Sequence, residues 1–153
     1  MPSFFQIRKK VHWSDTDAAG VVWFPSFLRW FEDAEEELFT SLGRSRQSLL
    51  DSHQFGMPRV EVHSKFRAPA RAGQIVRVGI STTVENPRRL HHAFEIRDDA
   101  TAQLLAEGFV RVACVDSGTW SARDLPEDVL RLVSGLQDLA ERQARGAVEL
   151  PWT

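Results

Sequence analysis

A long amphipathic helical pattern followed by four β-patterned runs, with no second helix between them, restricts this chain more than any other feature. From Pro25 the apolar positions Phe27, Leu28, Phe31, Ala34, Leu38, Phe39 and Leu42 recur at spacings of three and four, which puts them on one stripe of a helix. Pro25 suits a first helical turn, where its missing N–H is no loss, and Gly43 suits a helix stop. Beyond Met57-Pro58 the period changes to two: Val60, Val62, Ser64 and Phe66 alternate with Arg59, Glu61, His63 and Lys65. Further β runs cover 75–84, 91–96 and 104–115, with turns at Pro69/Gly73, Asn86–Arg89 and Asp98-Asp99. An earlier run, 4–13, carries Arg8-Lys9-Lys10, which fits an exposed or edge strand. Strands segregated from one helix imply an α+β layer architecture, an antiparallel sheet against a central helix, with the four consecutive runs pairing as a meander.

The rest is connection. Residues 14–23 read as a loop and 44–56 as a short helix and loop. A C-terminal helix at about 126–145 follows Pro126, with Val129, Leu130, Val133, Leu136 and Leu139 on one face, and the tail after Gly146 is expected to be less ordered. The 153 residues are enough for a single domain, 1–153, with a core at about 4–135. A net charge of −2 gives no basic field for nucleic acid. No apolar run approaches about 20 residues, so no membrane span is expected. The opening MPSFFQIRKKVHW lacks the long apolar core of a secretory signal, and a cytoplasmic location is expected. Cys114 is the single cysteine, which excludes an internal disulfide; within VRVACVDS it reads as a buried, inert thiol. His12, His53, His63, His91 and His92 lack metal-ligand spacing, and a strand would turn His91 and His92 to opposite faces. No metal is expected.

The chemistry concentrates in Val11–Phe31, VHWSDTDAAGVVWFPSFLRWF. Asp15 and Asp17 precede a small-residue turn, Ala18-Ala19-Gly20, and then the start of the helix. Backbone N–H groups at a helix N-terminus stabilise developing negative charge, and a carboxylate beside them can act as base or nucleophile. On residue type alone Asp17 suits an Asx turn as well as catalysis, and Asp15 suits a turn or orienting role. Gly20 lets the backbone come close to a ligand.

The pattern D-x-D-x-x-G-x-V-x-[FW]-x-x-[FY] resembles the active-site segment of the 4-hydroxybenzoyl-CoA thioesterase family, hotdog-fold acyl-CoA hydrolases. RAPARAGQIVRV (67–78) is similar to the family's P-x-x-x-G turn, and 104–129 to its last strand and Pro-led helix, so the likeness covers most of 5–130. It implies a hotdog fold, an antiparallel sheet wrapped around one long helix, and hydrolysis of an aromatic, benzoyl- or hydroxybenzoyl-type CoA thioester. It implies Asp17 as nucleophile or general base, and a backbone N–H near Phe24 as oxyanion donor. No cofactor is required, CoA being part of the substrate. Degradation of aromatic acids is the pathway it suggests.

Gly20, Val22, Trp23, Phe27, Trp30 and Met57 are candidates for the acyl pocket, although Phe27 also has ordinary core spacing. Glu32 stands where the 4-hydroxybenzoyl type carries an aspartate near the phenolic hydroxyl, a departure that leaves the acyl group open. Arg88 and Arg89, then Arg67 and Arg71, lie in or beside turns where guanidinium groups meet the CoA phosphates. The family assembles as dimers with sites between subunits, so a homotetramer, a dimer of dimers, is expected. Two alternatives are a thioesterase for short or medium aliphatic acyl groups and a non-catalytic acyl-CoA or acyl-carrier binding module. A hydratase reading would need a histidine between Asp15 and Phe24, where none stands.

Overall fold

The computed structural model describes residues 3–153. The helical stripe becomes α1, Phe24–Ser41, which buries Phe27, Trp30, Phe31, Ala34, Leu38 and Phe39. Strands β1 (Phe5–Lys10), β3 (Arg59–Phe66), β4 (Ile75–Asn86), β5 (Arg89–Asp98) and β6 (Leu104–Ala113) form one antiparallel sheet in the order β1-β4-β5-β6-β3. Two short strands, β2 (Phe55–Gly56) and β7 (Val115–Asp116), pair separately, and helices α2 (Arg46–His53) and α3 (Glu127–Ala144) complete the chain. α1 and α3 both pack against β1 and β4. A sheet curved around a long helix in this order is the hotdog fold, as expected. No helix among the described residues is long and apolar enough to cross a membrane.

The sheet corrects the expected meander. β4, β5 and β6 do follow one another, but β3 pairs with β6 at the far edge, so the segment 67–74 crosses the end of the sheet to reach β4. Period-two alternation specifies which face a side chain occupies and carries no information about the neighbouring strand. The edge position also changes burial. Val60, Val62 and Phe66 are 49%, 55% and 47% exposed, on an outer strand with no neighbour on its free side among the described residues. The other edge is closed. The Gln143 side chain on α3 accepts from the Gln6 N–H (2.7 Å) and donates to its carbonyl (2.9 Å). The tail, expected to be loose, lies along the same edge: Arg8 N–H donates to the Pro151 carbonyl (2.7 Å) and Thr153 N–H to the Arg8 carbonyl (3.1 Å).

Other expectations hold with small changes. α3 buries Val129, Leu136 and Leu139, whereas Leu130 faces solvent. Cys114 is buried, its thiol directed at the Asp124 carbonyl (3.7 Å), and burial pushes that thiol above the usual range. His92 is buried and His91 lies on the opposite face.

Candidate active site

The loop between β1 and α1 is held by Asp15. Trp13–Asp15 forms a 3₁₀ turn in which the Asp15 carboxylate accepts from the His12 N–H (2.9 Å). The same buried carboxylate pairs with Arg29, one turn into α1. Its backbone carbonyl accepts from the Trp23 N–H (2.9 Å) and the Ser26 hydroxyl (3.1 Å). Asp15 therefore ties both ends of the loop to the first turn of the helix, the orienting role anticipated for it.

Asp17 lies on the exposed side of that loop. Thr16 and Val22 form an isolated antiparallel bridge, and the turn between them is closed by Asp17 N–H to the Val21 carbonyl (3.0 Å) and Gly20 N–H to the Asp17 carbonyl (2.9 Å). Gly20 adopts φ +76°, a left-handed conformation that glycine takes without strain. The Asp17 Oδ1 accepts from the Ala19 N–H (2.8 Å), so the Asx turn is real; Oδ2 accepts no hydrogen bond among the described residues. Trp23 caps α1 and Pro25 follows Phe24, so the Phe24 N–H is the first free donor of the helix, and it has no partner among the described residues. The positive end of the helix dipole sits there.

Beside this N-terminus lies an open cleft of about 350 Å³, lined by Val21, Val22, Phe24, Phe27, Phe66 and Arg67. The Phe66 ring lies 5.9 Å from Phe24 and 5.6 Å from Phe27. Arg71 brings its Nη1 to 4.0 Å from the point where a Cβ on Gly20 would stand. Asp17, Gly20, Val22, Phe24, Phe27, Arg67 and Arg71 therefore share one neighbourhood. Trp23 is adjacent but 54% exposed, and it packs edge-on to Phe24 at 6.2 Å. Trp30 does not join them: it is fully buried against Phe27, so it belongs to the core.

Glu32 and Met57 belong to a second neighbourhood, about 12 Å further along α1 at ~1.5 Å per residue. The Glu32 carboxylate accepts from Arg46 Nη1 (2.8 Å) and from Arg59 Nε (3.0 Å) and Nη2 (2.7 Å). Burial works against that charge, yet the two guanidinium groups hold Glu32 below its usual range. Met57 lines a cavity of about 310 Å³ with Glu32, Arg46 and Arg59. Glu35, 2% exposed, pairs with Arg59 below them. Arg88 and Arg89 are further still, at the β4–β5 turn, where Arg88 bonds Asp124 (3.0 Å). That turn is roughly 35 Å from the Ile75 end of β4, taking ~3.3 Å per residue, so within one protomer neither arginine meets Asp17.

The residues that sequence reading missed are Phe66, Arg59 and Arg46; Glu35 was open only as a mid-helix glutamate that could serve in place of Asp17, and His92 only as a surface or core histidine. Phe66 was legible as a strand residue, but not as a wall of the helix N-terminus. The others come from α1, α2, β3 and β5 and carry no common motif.

Comparison with known proteins agrees with this geometry. The profile of the thioesterase-like superfamily matches residues 11–133. The 1,4-dihydroxy-2-naphthoyl-CoA hydrolase of Synechocystis sp. is 32% identical over 111 residues, covering 72% of this chain and 80% of that protein. Acyl-CoA thioesterase YbgC of Haemophilus influenzae is 29% identical over 125 residues, covering 82% and 90%. The crystal structure of a 1,4-dihydroxy-2-naphthoyl-CoA thioesterase from Synechocystis superposes with a TM-score of 0.82 at 29% identity, covering 87% of this chain and 97% of that one.

Proposed function

Because the chain belongs to the thioesterase-like superfamily, we propose that it hydrolyses an aromatic acyl-CoA, of the benzoyl or hydroxybenzoyl type or a larger hydroxylated ring, to the free acid and CoA. The reaction class, hydrolysis of an acyl-CoA thioester, follows from the family; the acyl group and the residue roles are this proposal's own. One observation carries it: a carboxylate with an oxygen free among the described residues, Asp17, and a helix N-terminal donor likewise without a partner among them, Phe24 N–H, stand at the two ends of one short connection beside an apolar cleft.

The thioester carbonyl lies with its oxygen on the Phe24 N–H. Asp17 then acts in one of two ways. As nucleophile, its oxygen bonds to the carbonyl carbon, the C–S bond breaks, CoA leaves as thiolate, and water opens the resulting anhydride. As general base, it takes a proton from the water that attacks. Both routes put negative charge on the carbonyl oxygen, where the backbone donor and the helix dipole stabilise it.

The exposed edge supports a site shared between copies. Antiparallel pairing of two β3 edges would cover Val60, Val62 and Phe66 and join two sheets into one. It would also bring the Phe66 end of one copy opposite the Arg59 end of the other. The Asp17 loop of one copy and the Glu32, Met57, Arg88 and Arg89 end of its neighbour then share one end of the joint sheet. In this arrangement CoA touches more than one subunit, with Arg67 and Arg71 near the thioester and Arg88 and Arg89 towards the nucleotide. Two such dimers form a homotetramer.

The test is thiol release from benzoyl-, 4-hydroxybenzoyl-, 1,4-dihydroxy-2-naphthoyl- and medium-chain acyl-CoA by wild type and Asp17→Asn. Aromatic turnover that falls at least about 10²-fold in the variant is expected. Preferential turnover of the aliphatic ester would move the substrate class, and turnover that survives Asp17→Asn would move the chemistry elsewhere. No turnover of any ester would favour a binding module.

A further inference from the structure

The sheet has a second face, turned away from α1. Val62, Phe94 and Val110 point towards Leu28 and Phe31 of the helix, and the Phe31 and Phe94 rings stack 4.3 Å apart. Side chains alternate along a strand, so the residues between them point the other way. The strand register sets these out in rows across the sheet. A middle row runs Ser81, Ala93, Phe109, His63. Glu95, Glu107 and Lys65 form the row on one side of it, and His91, Arg111 and Glu61 form the row on the other.

The middle row is flat and largely apolar. Phe109 is half-buried and stacks on His63 (5.4 Å, 11° between planes) and on His91 (5.1 Å, 27°). The Arg111 guanidinium lies 4.9 Å from the centre of the same ring. The flanking rows carry charge. Ion pairs within the chain hold these side chains along the face: Arg111 with Glu61 (2.6 Å) and Glu85 (2.8 Å), Glu95 with Arg97 (3.2 Å), and Glu107 with Arg67 (3.2 Å). Glu95 still stands directly opposite Glu107, a like-charge cross-strand pair that weakens a sheet standing alone.

The charge pattern is complementary to itself. A half-turn about the line of the middle row exchanges the two flanking rows and leaves each strand over its own counterpart. It sets Lys65 against the partner's Glu61, Glu107 against the partner's Arg111, and Glu95 against the partner's His91. An imidazole N–H donates to a carboxylate whether or not the ring is charged. A half-turn about β5 instead sets Glu95 on the partner's Glu95 and His91 on the partner's His91. Charge therefore selects the first orientation. The area is sufficient. Five strands ~4.8 Å apart, over the eight residues of β3 at ~3.4 Å each, present about 650 Å² per copy. The total of about 1,300 Å² lies within the ~1,200–2,000 Å² of specific interfaces.

We infer that this face is a contact between two copies of the chain, related by a two-fold axis along the Phe109 row. Phe109 and the two imidazoles form its apolar centre and the charged rows its rim. The same patch serves both copies, so the contact closes on itself. It needs neither the thioesterase chemistry nor the β3 pairing, and it specifies how two β3-joined dimers would stack.

The test is sedimentation of the full chain over a concentration series, with far-UV circular dichroism on each variant. His91→Glu sets a carboxylate against the partner's Glu95 twice per contact, yet within the chain the new carboxylate stands opposite Arg111, a favourable pair that spares the fold. Association should weaken at least about tenfold. Adding Glu95→Lys reverses both members of the pair and should restore association, a rescue that a folding defect would not show. Phe66→Asp separates the two interfaces. With the β3 edge blocked, the face alone should hold a dimer, and adding His91→Glu should reduce it to a monomer. A monomeric wild type, a monomer from Phe66→Asp alone, an association that His91→Glu leaves unchanged, or a double variant no better than His91→Glu overturns the inference. Failure of the β3 pairing looks different: Phe66→Asp then keeps the wild-type mass, and His91→Glu and its rescue are read on the wild type.

Discussion

Lowering the pH probes the layer between α1 and the sheet through His92. This ring is 1% exposed. Burial, reinforced by the positive charge of Arg59, pushes its pKa down to about 3. In the unfolded chain a histidine titrates near 6.5. Between those values the unfolded chain holds a proton that the folded one refuses, so stability is full above about pH 6.5 and falls as the pH drops below it. One proton corresponds to about 1.36 kcal/mol per pH unit, so acidifying from pH 8 to pH 5 should remove about 2 kcal/mol. For a domain of this size that is about 4–8 °C in Tm. Glu35 acts with the opposite sign. Burial raises its carboxyl, so the folded state takes up a proton there first, and stability from that proton is lost as the pH rises through the raised value. Comparison with His92→Gln, which keeps an amide for Thr82 but does not titrate, removes the Glu35 contribution to first order. Urea unfolding of both proteins at pH 8 and pH 5 is the assay. Wild type should lose about 2 kcal/mol more than His92→Gln. Equal losses would mean that His92 accepts its proton in the folded state, and the reasoning from burial would be wrong.

Two further outcomes follow from the loop and the free edge. Asp15→Ala leaves the His12 N–H and Arg29 without their carboxylate, and should cost about 1–3 kcal/mol in thermal or urea unfolding, the lower part of that range reflecting the exposure of Arg29. A loss under about 0.5 kcal/mol, the scatter of ordinary surface changes, would remove Asp15 as the organiser of the loop. Phe66→Asp places a charge on the proposed interface strand, and analytical ultracentrifugation should show a smaller assembly with unchanged far-UV circular dichroism; an unaltered mass would place the interface elsewhere.

The parts of the molecule that could be read from sequence are those built from neighbours in the chain. The three-and-four spacing from Phe27 to Leu42 became α1 because a helix repeats locally. The turn around Asp17 and Gly20, and the helix start at Phe24, were legible for the same reason. Strand order was not: Val60 to Phe66 alternates properly, yet β3 crosses to the far edge, and nothing in alternation distinguishes a meander from that crossing. The Glu35, Arg46, Arg59 and His92 cluster is assembled from four elements, so each residue viewed in its own segment reads as a solvated charge or a strand histidine. Arg88 and Arg89 show the converse, since a turn position is local information while its distance from Asp17 depends on the length of β4.

The amide clamp of Gln143 on Gln6, together with the tail on Arg8, gives the sheet a valency of one. Along β1 the outward groups of Gln6 and Arg8 are taken within the chain, by a side chain that imitates a strand and by residues 151–153. Of the two edges of the five-stranded sheet, β3 is the one left without a partner among the described residues. A copy that meets another through that edge uses up the last opening, and the joined sheet ends at both sides in a capped β1. Under the proposed β3 pairing, growth by edge addition would therefore stop at two, and a long apolar edge that would otherwise propagate into fibres would be limited to a finite particle. Loss of the cap, by Gln143→Ala and removal of residues 151–153, would raise the valency to two and turn the same edge chemistry towards open-ended assembly.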